Sequence, residues 1–391
     1  MEAKDKPVSV WNKSDCEDVD EDGMNSTLPL PDEDPDNIET DTEDDCDPAT
    51  WYQPSDAENT AAPPAEVYPS RPSSLNNSMW DQDGSEGCSL GLDFVSQQLT
   101  KVASFSCLDV VNTRTGKLRC LTNPQDVLYL PELNQFLVSE LFNDRIGVYN
   151  DHEDGLQFDS WLAHPRHPLY RRPASMLRTS NGHVFIVEGD RIQILTPYLE
   201  EFMWKRGHFR GLAEGPGGEV FTLAISSRSK SWHLQKLEIG PNGFYKFAGQ
   251  IELTCISSFS ETKLMSHACN LTYNKDRIYI TDMGLHKIYV VNLVTGTQSI
   301  LGCEGPGEGQ FSMPSGIVSD DVGNILVADK GNKRLLVFSE MGQFIKVANC
   351  GDAEIPDNIQ SLRVFREHVY VVHRTSRGKM GGIMKLKLAA V

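Results

Sequence analysis

From about Leu108 to the C-terminus, short apolar runs alternate with turn-forming residues, and no long amphipathic helical pattern interrupts them. The runs at 136–138, 184–187, 220–223, 278–280, 325–327 and 369–372 are built mainly from β-branched, aromatic and leucine side chains. Such side chains fit a pleated, packed surface, and the Gly, Asn and Asp between them mark turns. Few of the strands alternate strictly between apolar and polar, so both faces of each sheet are expected to be covered. The pattern predicts an all-β domain of many short strands.

The spacing of the runs carries more information than their composition. The segment 314–338 holds a strand, an Asp/Gly/Asn turn, a second strand closing on Asp329, a tight turn, and a third strand opening at Arg334; a fourth strand is expected at 344–347. The pattern recurs 47 residues earlier, where Asp282, Gly284 and Lys287 stand in the places of Asp329, Gly331 and Arg334. It recurs again at Glu140, Asn143 and Arg145, and in shortened form at Glu188 and Arg191. Two weaker copies lie around 217–221 and 367–370. About six units of roughly 45 residues match the period of a four-stranded propeller blade. Each closing acid is expected to pair with the Arg or Lys that opens the next strand.

The motifs Pro314-Ser315-Gly316-Ile317, 323–329 and 332–338 nearly spell the consensus of the NHL repeat, and residues 105–391 are similar to a propeller of that family. The resemblance implies a six-bladed NHL-type β-propeller, of the kind found at the C-terminus of TRIM-NHL proteins and of malin, here without RING or B-box modules. Residues 110–116 echo 290–296. The entering chain is therefore expected to supply an outer strand to the last blade beside 384–388, which would close the ring and remove two open edges.

Charge separates the chain into two parts. Of its 391 residues, the first 100 hold 25 Asp or Glu against 4 Lys or Arg, whereas the rest hold 30 against 32. The whole net charge of −19 thus comes from the first quarter. Residues 1–95 read as a disordered acidic tail, with too little apolar surface to offset the entropy of ordering. Trp11 or Trp80 could anchor a partner motif there, although a solvating tail is the plainer reading. No apolar stretch reaches membrane-spanning length, and the N-terminus has no apolar core of a secretory signal. The nine cysteines are irregularly spaced, with no metal-type pair. These features point to a reduced, cytoplasmic or nuclear chain without disulfides.

Linear catalytic motifs are absent: the sequence has no GxSxG, HExxH, Walker loop or strand–GxGxxG–helix unit. The ten histidines share no repeated position. The expectation is accordingly no enzyme, no cofactor and no metal site, with a metal-dependent channel site held in reserve. The turns after each second strand should lie on one rim. They carry the candidate binding residues Phe142, Asn143, Arg228, Lys230, Met283, His286, Lys330, Lys333, Arg374 and Arg377. A near-neutral propeller behind an acidic tail suits a polyanion poorly. The reading is therefore a monomeric scaffold for a protein partner, presenting substrates to a ubiquitin-ligase complex, with single-stranded RNA as the alternative ligand and neither DNA nor membrane as a partner.

Overall fold

Each expected repeat unit becomes one four-stranded antiparallel sheet, and there are six. The computed structural model describes residues 93–105, 121–152, 155–164, 169–225, 232–253, 270–348, 354–375 and 380–390. Blade 1 occupies residues 124–161, blade 2 175–206, blade 3 209–252, blade 4 271–301 and blade 5 314–347. In each of these, four consecutive strands run in order from the axis outward. The inner strands pack on one another around the ring, and the inner strand of blade 6 meets that of blade 1. The acidic segment falls within residues 1–92, outside the described residues. Among the described residues no helix is long and apolar enough to cross a membrane.

Six apolar clusters fill the six inter-blade spaces. Between blades 5 and 6, for example, Leu326, Ala328, Leu335 and Val337 pack against Leu362, Val369, Val371 and Leu386. The other face of blade 5 sends Ile325, Val327 and Leu336 against Tyr279 and Ile288 of blade 4. Both faces of a sheet are thus buried, which is why the strands are apolar without strict alternation.

Blade 6 is completed from both ends of the chain. Its strands Ile359–Phe365, His368–Arg374 and Gly381–Ala390 are followed, at the outer edge, by Gln97–Phe105. Leu99 lies opposite Leu388, and Phe105 opposite Ile383. Ring closure by the entering chain was expected, but from residues 110–116, which lie outside the described residues. The strand that pairs comes earlier because it carries the anchors. Phe94 and Leu99 are buried in the cluster between blades 5 and 6. The Phe94 amide donates to Asp320 Oδ2 at 2.8 Å, and Lys346 Nζ donates to the Val95 carbonyl at 2.5 Å.

Some buried polar atoms find no partner in this packing. Gln193 is fully buried in the third strand of blade 2, and among the described residues neither atom of its amide has a hydrogen-bond partner. Water lost to such an amide is not repaid by the protein. Gln193→Met keeps the volume and removes the unpaired dipole, so it should raise the unfolding free energy by about 1–2 kcal/mol in urea denaturation. A loss of stability would show that the amide has a partner.

Candidate functional site

The turns between second and third strands open on the same end of the propeller as the first residues of the inner strands. Pro124 pairs with Glu140 and Pro314 with Asp329, so these residues sit beside the turns that follow. In blades 1, 4 and 5 the last turn residue takes the left-handed conformation, with φ of 52° at Asp144, 55° at His286 and 53° at Lys333. The turns of blades 1, 4 and 5 thus share one backbone conformation at matched positions.

The closing acids Glu140, Glu188, Asp282 and Asp329 are all buried. In blades 1 and 5 they form the expected ion pairs. Arg145 Nε donates to Glu140 at 2.7 Å and Arg334 Nε to Asp329 at 2.8 Å, and Asn143 and Asn332 each add a bond of 2.8 Å to the same carboxylates. The pairing fails in the other two. The blade 2 turn is shorter, and Arg191 bonds Asp190 at 3.1 Å while Glu188 accepts the Arg171 amide at 2.7 Å and faces His164 at 3.3 Å. Asp282 instead caps its own turn, accepting the Gly284 and Leu285 amides at 2.9 and 3.0 Å, and burial pushes its carboxyl above the usual range.

Structure sorts the ten candidate residues into different roles. Arg228, Lys230 and Arg377 lie outside the described residues. Asn143 is committed to Glu140 and Thr122, so it braces the turn. Met283 is buried and belongs to the packing, contrary to its expected place on the rim surface. His286 Nδ1 accepts the Met313 amide at 2.9 Å, and Lys333 pairs with Asp357 at 2.7 Å. Phe142, Lys330 and Arg374 remain, and the ring brings them together from blades 1, 5 and 6.

Their arrangement is unusual in its charge. Arg374 was expected as an exposed turn residue, but it closes the second strand of blade 6 and is buried at 8% exposure. Its Nε donates to the Pro124 carbonyl at 3.2 Å and its Nη2 to Gln125 Oε1 at 2.5 Å, both neutral acceptors. The ring of Phe142, 54% exposed, lies 5.1 Å from the guanidinium carbon. Lys330 is half-buried and close enough to Arg374 to be repelled by it. Desolvation first, and Arg374 second, pull the Lys330 amine down to about 8. Burial likewise lowers Arg374, to about 10. Among the described residues no acid forms an ion pair with either cation. The neighbouring Asp329 is held by Arg334 and Asn332.

Beneath this mouth, side chains lace the inner strands together. Asp126 accepts Arg363 Nε at 2.9 Å and Nη2 at 2.5 Å, the Ser361 hydroxyl at 2.8 Å and the Met176 amide at 2.9 Å, which ties blades 1, 2 and 6. On the other side Asn270 Nδ2 donates to the carbonyls of Ser315 at 3.1 Å and Gln360 at 3.2 Å, which ties blades 4, 5 and 6. The Ser315 hydroxyl is fully buried there and has no hydrogen-bond partner among the described residues. Sequence reasoning missed this floor, although a signal was present: Asp126 and Ser361 replace the glycine of Pro314-Ser315-Gly316-Ile317 in their own copies. At Gly316 a Cβ would stand 2.5 Å from the Leu362 amide, so the motif glycine marks a close approach of inner strands. Among the described residues no group of three or more His, Cys, Asp or Glu is placed to hold a metal ion.

Comparison with known proteins agrees with this architecture. Residues 311–338 match the NHL repeat, and that repeat is blade 5 of a six-bladed propeller. No curated protein matches the chain. A gluconolactonase from Xanthomonas campestris superposes with a TM-score of 0.51 at 10% identity, covering 78% of this chain and 98% of that one. A protein of unknown function from Bacteroides thetaiotaomicron gives 0.50 at 12% identity, covering 75% and 76%. A virginiamycin B lyase from Staphylococcus aureus gives 0.47 at 10% identity, covering 75% and 100%. At these identities the likeness is one of fold. It nevertheless corrects the expectation of a non-enzymatic scaffold. The gluconolactonase builds an enzyme on this frame, so the lack of a linear catalytic motif gave no ground for excluding catalysis. In a propeller, reacting groups come from turns of separate blades, and no short sequence spacing unites them.

Proposed function

We propose that the chain is an enzyme-type propeller that takes a small anionic organic molecule at the mouth of its channel. The observation that carries this reading is Arg374, buried against two neutral acceptors, the Pro124 carbonyl and Gln125 Oε1, with the exposed Phe142 ring over its guanidinium, and with no acid ion-paired to it or to Lys330 among the described residues. Two like charges in a poorly hydrated site destabilise each other, and a carboxylate or phosphate between them would relieve that repulsion. Arg374 is the fixed element, because its Nε and Nη2 are already anchored on blade 1. Phe142 supplies an exposed ring against which the uncharged part of the molecule can pack. Lys330 is half-buried, and desolvation, with Arg374 second, pulls its amine down to about 8, where it can hold or release a proton under ordinary conditions.

The test is thermal stabilisation of the full chain by a panel of small carboxylates and phosphates. A ligand present at 100 times its dissociation constant should add about 2.7 kcal/mol to stability. Arg374→Gln should abolish the response, and Phe142→Ala should weaken it for ligands with a ring or an apolar chain. An equal response in the parent and in Arg374→Gln would place the anion elsewhere and remove the proposal.

A further inference from the structure

Inter-blade spaces widen toward the outer strands, because the blades radiate from one axis, and long side chains are needed to fill them. Between blades 2 and 3 that place is taken by Lys205. It stands opposite Ile192, is buried, and sets its amine 5.3 Å from the centre of the Phe247 ring of blade 3. Blade 5 has an alanine at the matching place. Leu335 follows Arg334 as Ile192 follows Arg191, and the Leu335 carbonyl accepts the Ala348 amide at 2.8 Å. The short side chain leaves a cavity of about 200 Å³ in the seam between blade 5 and the entering strand of blade 6. Leu326, Val337 and Ala348 wall it on one side and Phe94 and Leu99 on the other.

The polar part of the lining is small. Gln97 Oε1 accepts the Asp93 amide at 3.2 Å, and Gln98 is half-buried. Lys346 is the charged residue of the lining, and its Nζ is turned to the Val95 carbonyl at 2.5 Å. Selection therefore rests on shape and apolar area. We infer that this seam is a binding site for one small uncharged apolar molecule, a single aromatic ring or a branched alkyl group of similar size. An apolar cavity of roughly 150 Å³ is enough to hold benzene, so this one takes a ring with a short substituent. The two walls come from blade 5 and from the entering chain, and they meet only when the ring is closed. An occupant that recognises only the closed ring stabilises closure by mass action, so the site fastens the entering strand in place. It shares no residue with the channel mouth and does not depend on the reading of that mouth as an anion site.

Benzene is the probe, added to the full-length protein and followed by calorimetry. It should raise the melting temperature of the parent in a concentration-dependent manner. Ala348→Leu fills the cavity, so its melting temperature without benzene should equal or exceed that of the parent. Its apparent affinity for benzene should fall at least about tenfold, because an excluded ring loses the apolar burial on which its binding rests. Arg374→Gln should respond to benzene as the parent does, since the charged mouth has no part in the site. A second measurement needs no variant. In full-length protein labelled at leucine and valine methyl groups, benzene should shift the NMR signals of Leu99, Leu326 and Val337 ahead of those in the space between blades 2 and 3. Equal stabilisation of the parent and of Ala348→Leu would place the ring elsewhere and overturn the inference. Methyl shifts that are absent at the seam would overturn it as well, even if Ala348→Leu failed to fold.

Discussion

Removing residues 1–105 should unfold the propeller, whereas removing residues 1–92 should leave its melting temperature nearly unchanged. The six sheets are complete without the first 92 residues, because the closing strand begins at Gln97. The longer deletion takes away that strand and both of its buried anchors, Phe94 and Leu99. Burial of each large apolar side chain contributes about 1.5–3 kcal/mol, so the anchors alone account for about 3–6 kcal/mol. The edge strand Gly381–Ala390 would also lose its outer partner along its length. Against a total stability of about 5–15 kcal/mol for an ordinary domain, that loss is enough to populate unfolded chain and to leave an open edge that aggregates. Differential scanning calorimetry of the two truncations decides the matter. Superimposable melts would show that the N-terminal strand does not close the ring.

The propeller was legible in the sequence because its signal is repeated. Asp282 and Asp329, Gly284 and Gly331, and Lys287 and Arg334 mark equivalent turns 47 residues apart, and each blade must bury both faces against neighbours of the same kind. Local deviations were not legible. The shortened turn of blade 2 sends Arg191 to Asp190, and the turn of blade 4 satisfies Asp282 with its own amides, so equal spacing did not guarantee equal pairing. The site was half legible. Lys330, Arg374 and Phe142 were named as turn residues, but their convergence depends on blades 5, 6 and 1 being neighbours in a closed ring. Phe142 and Lys330 are separated by 188 positions in the chain. Desolvation of Arg374 likewise depends on Pro124 and Gln125 of the next blade, which no property of residues 368–374 discloses.

The largest single-residue effect should come from Asp126, which had no place among the sequence candidates. Asp126 is 1% exposed and accepts Arg363, Ser361 and the Met176 amide. Asp126→Ala would leave the Arg363 guanidinium, itself 12% exposed at the side chain, without a counter-charge in the channel, along with an unpaired Met176 amide. Breaking one side of a buried ion pair typically costs about 3–5 kcal/mol, because the stranded charge keeps its desolvation penalty. Urea denaturation should therefore show a fall of that size for Asp126→Ala. The penalty belongs to the stranded charge more than to the lost attraction, so Asp126→Ala combined with Arg363→Met should recover a substantial part of it. Additive losses in the double variant would mean that the two side chains act separately, and a single variant within about 1 kcal/mol of the parent would show that the pair is not buried as described. The same comparison bears on the channel mouth. Asp126 directly follows Gln125, which fixes Arg374, so loosening the inner strand of blade 1 should weaken anion-dependent stabilisation even in molecules that remain folded.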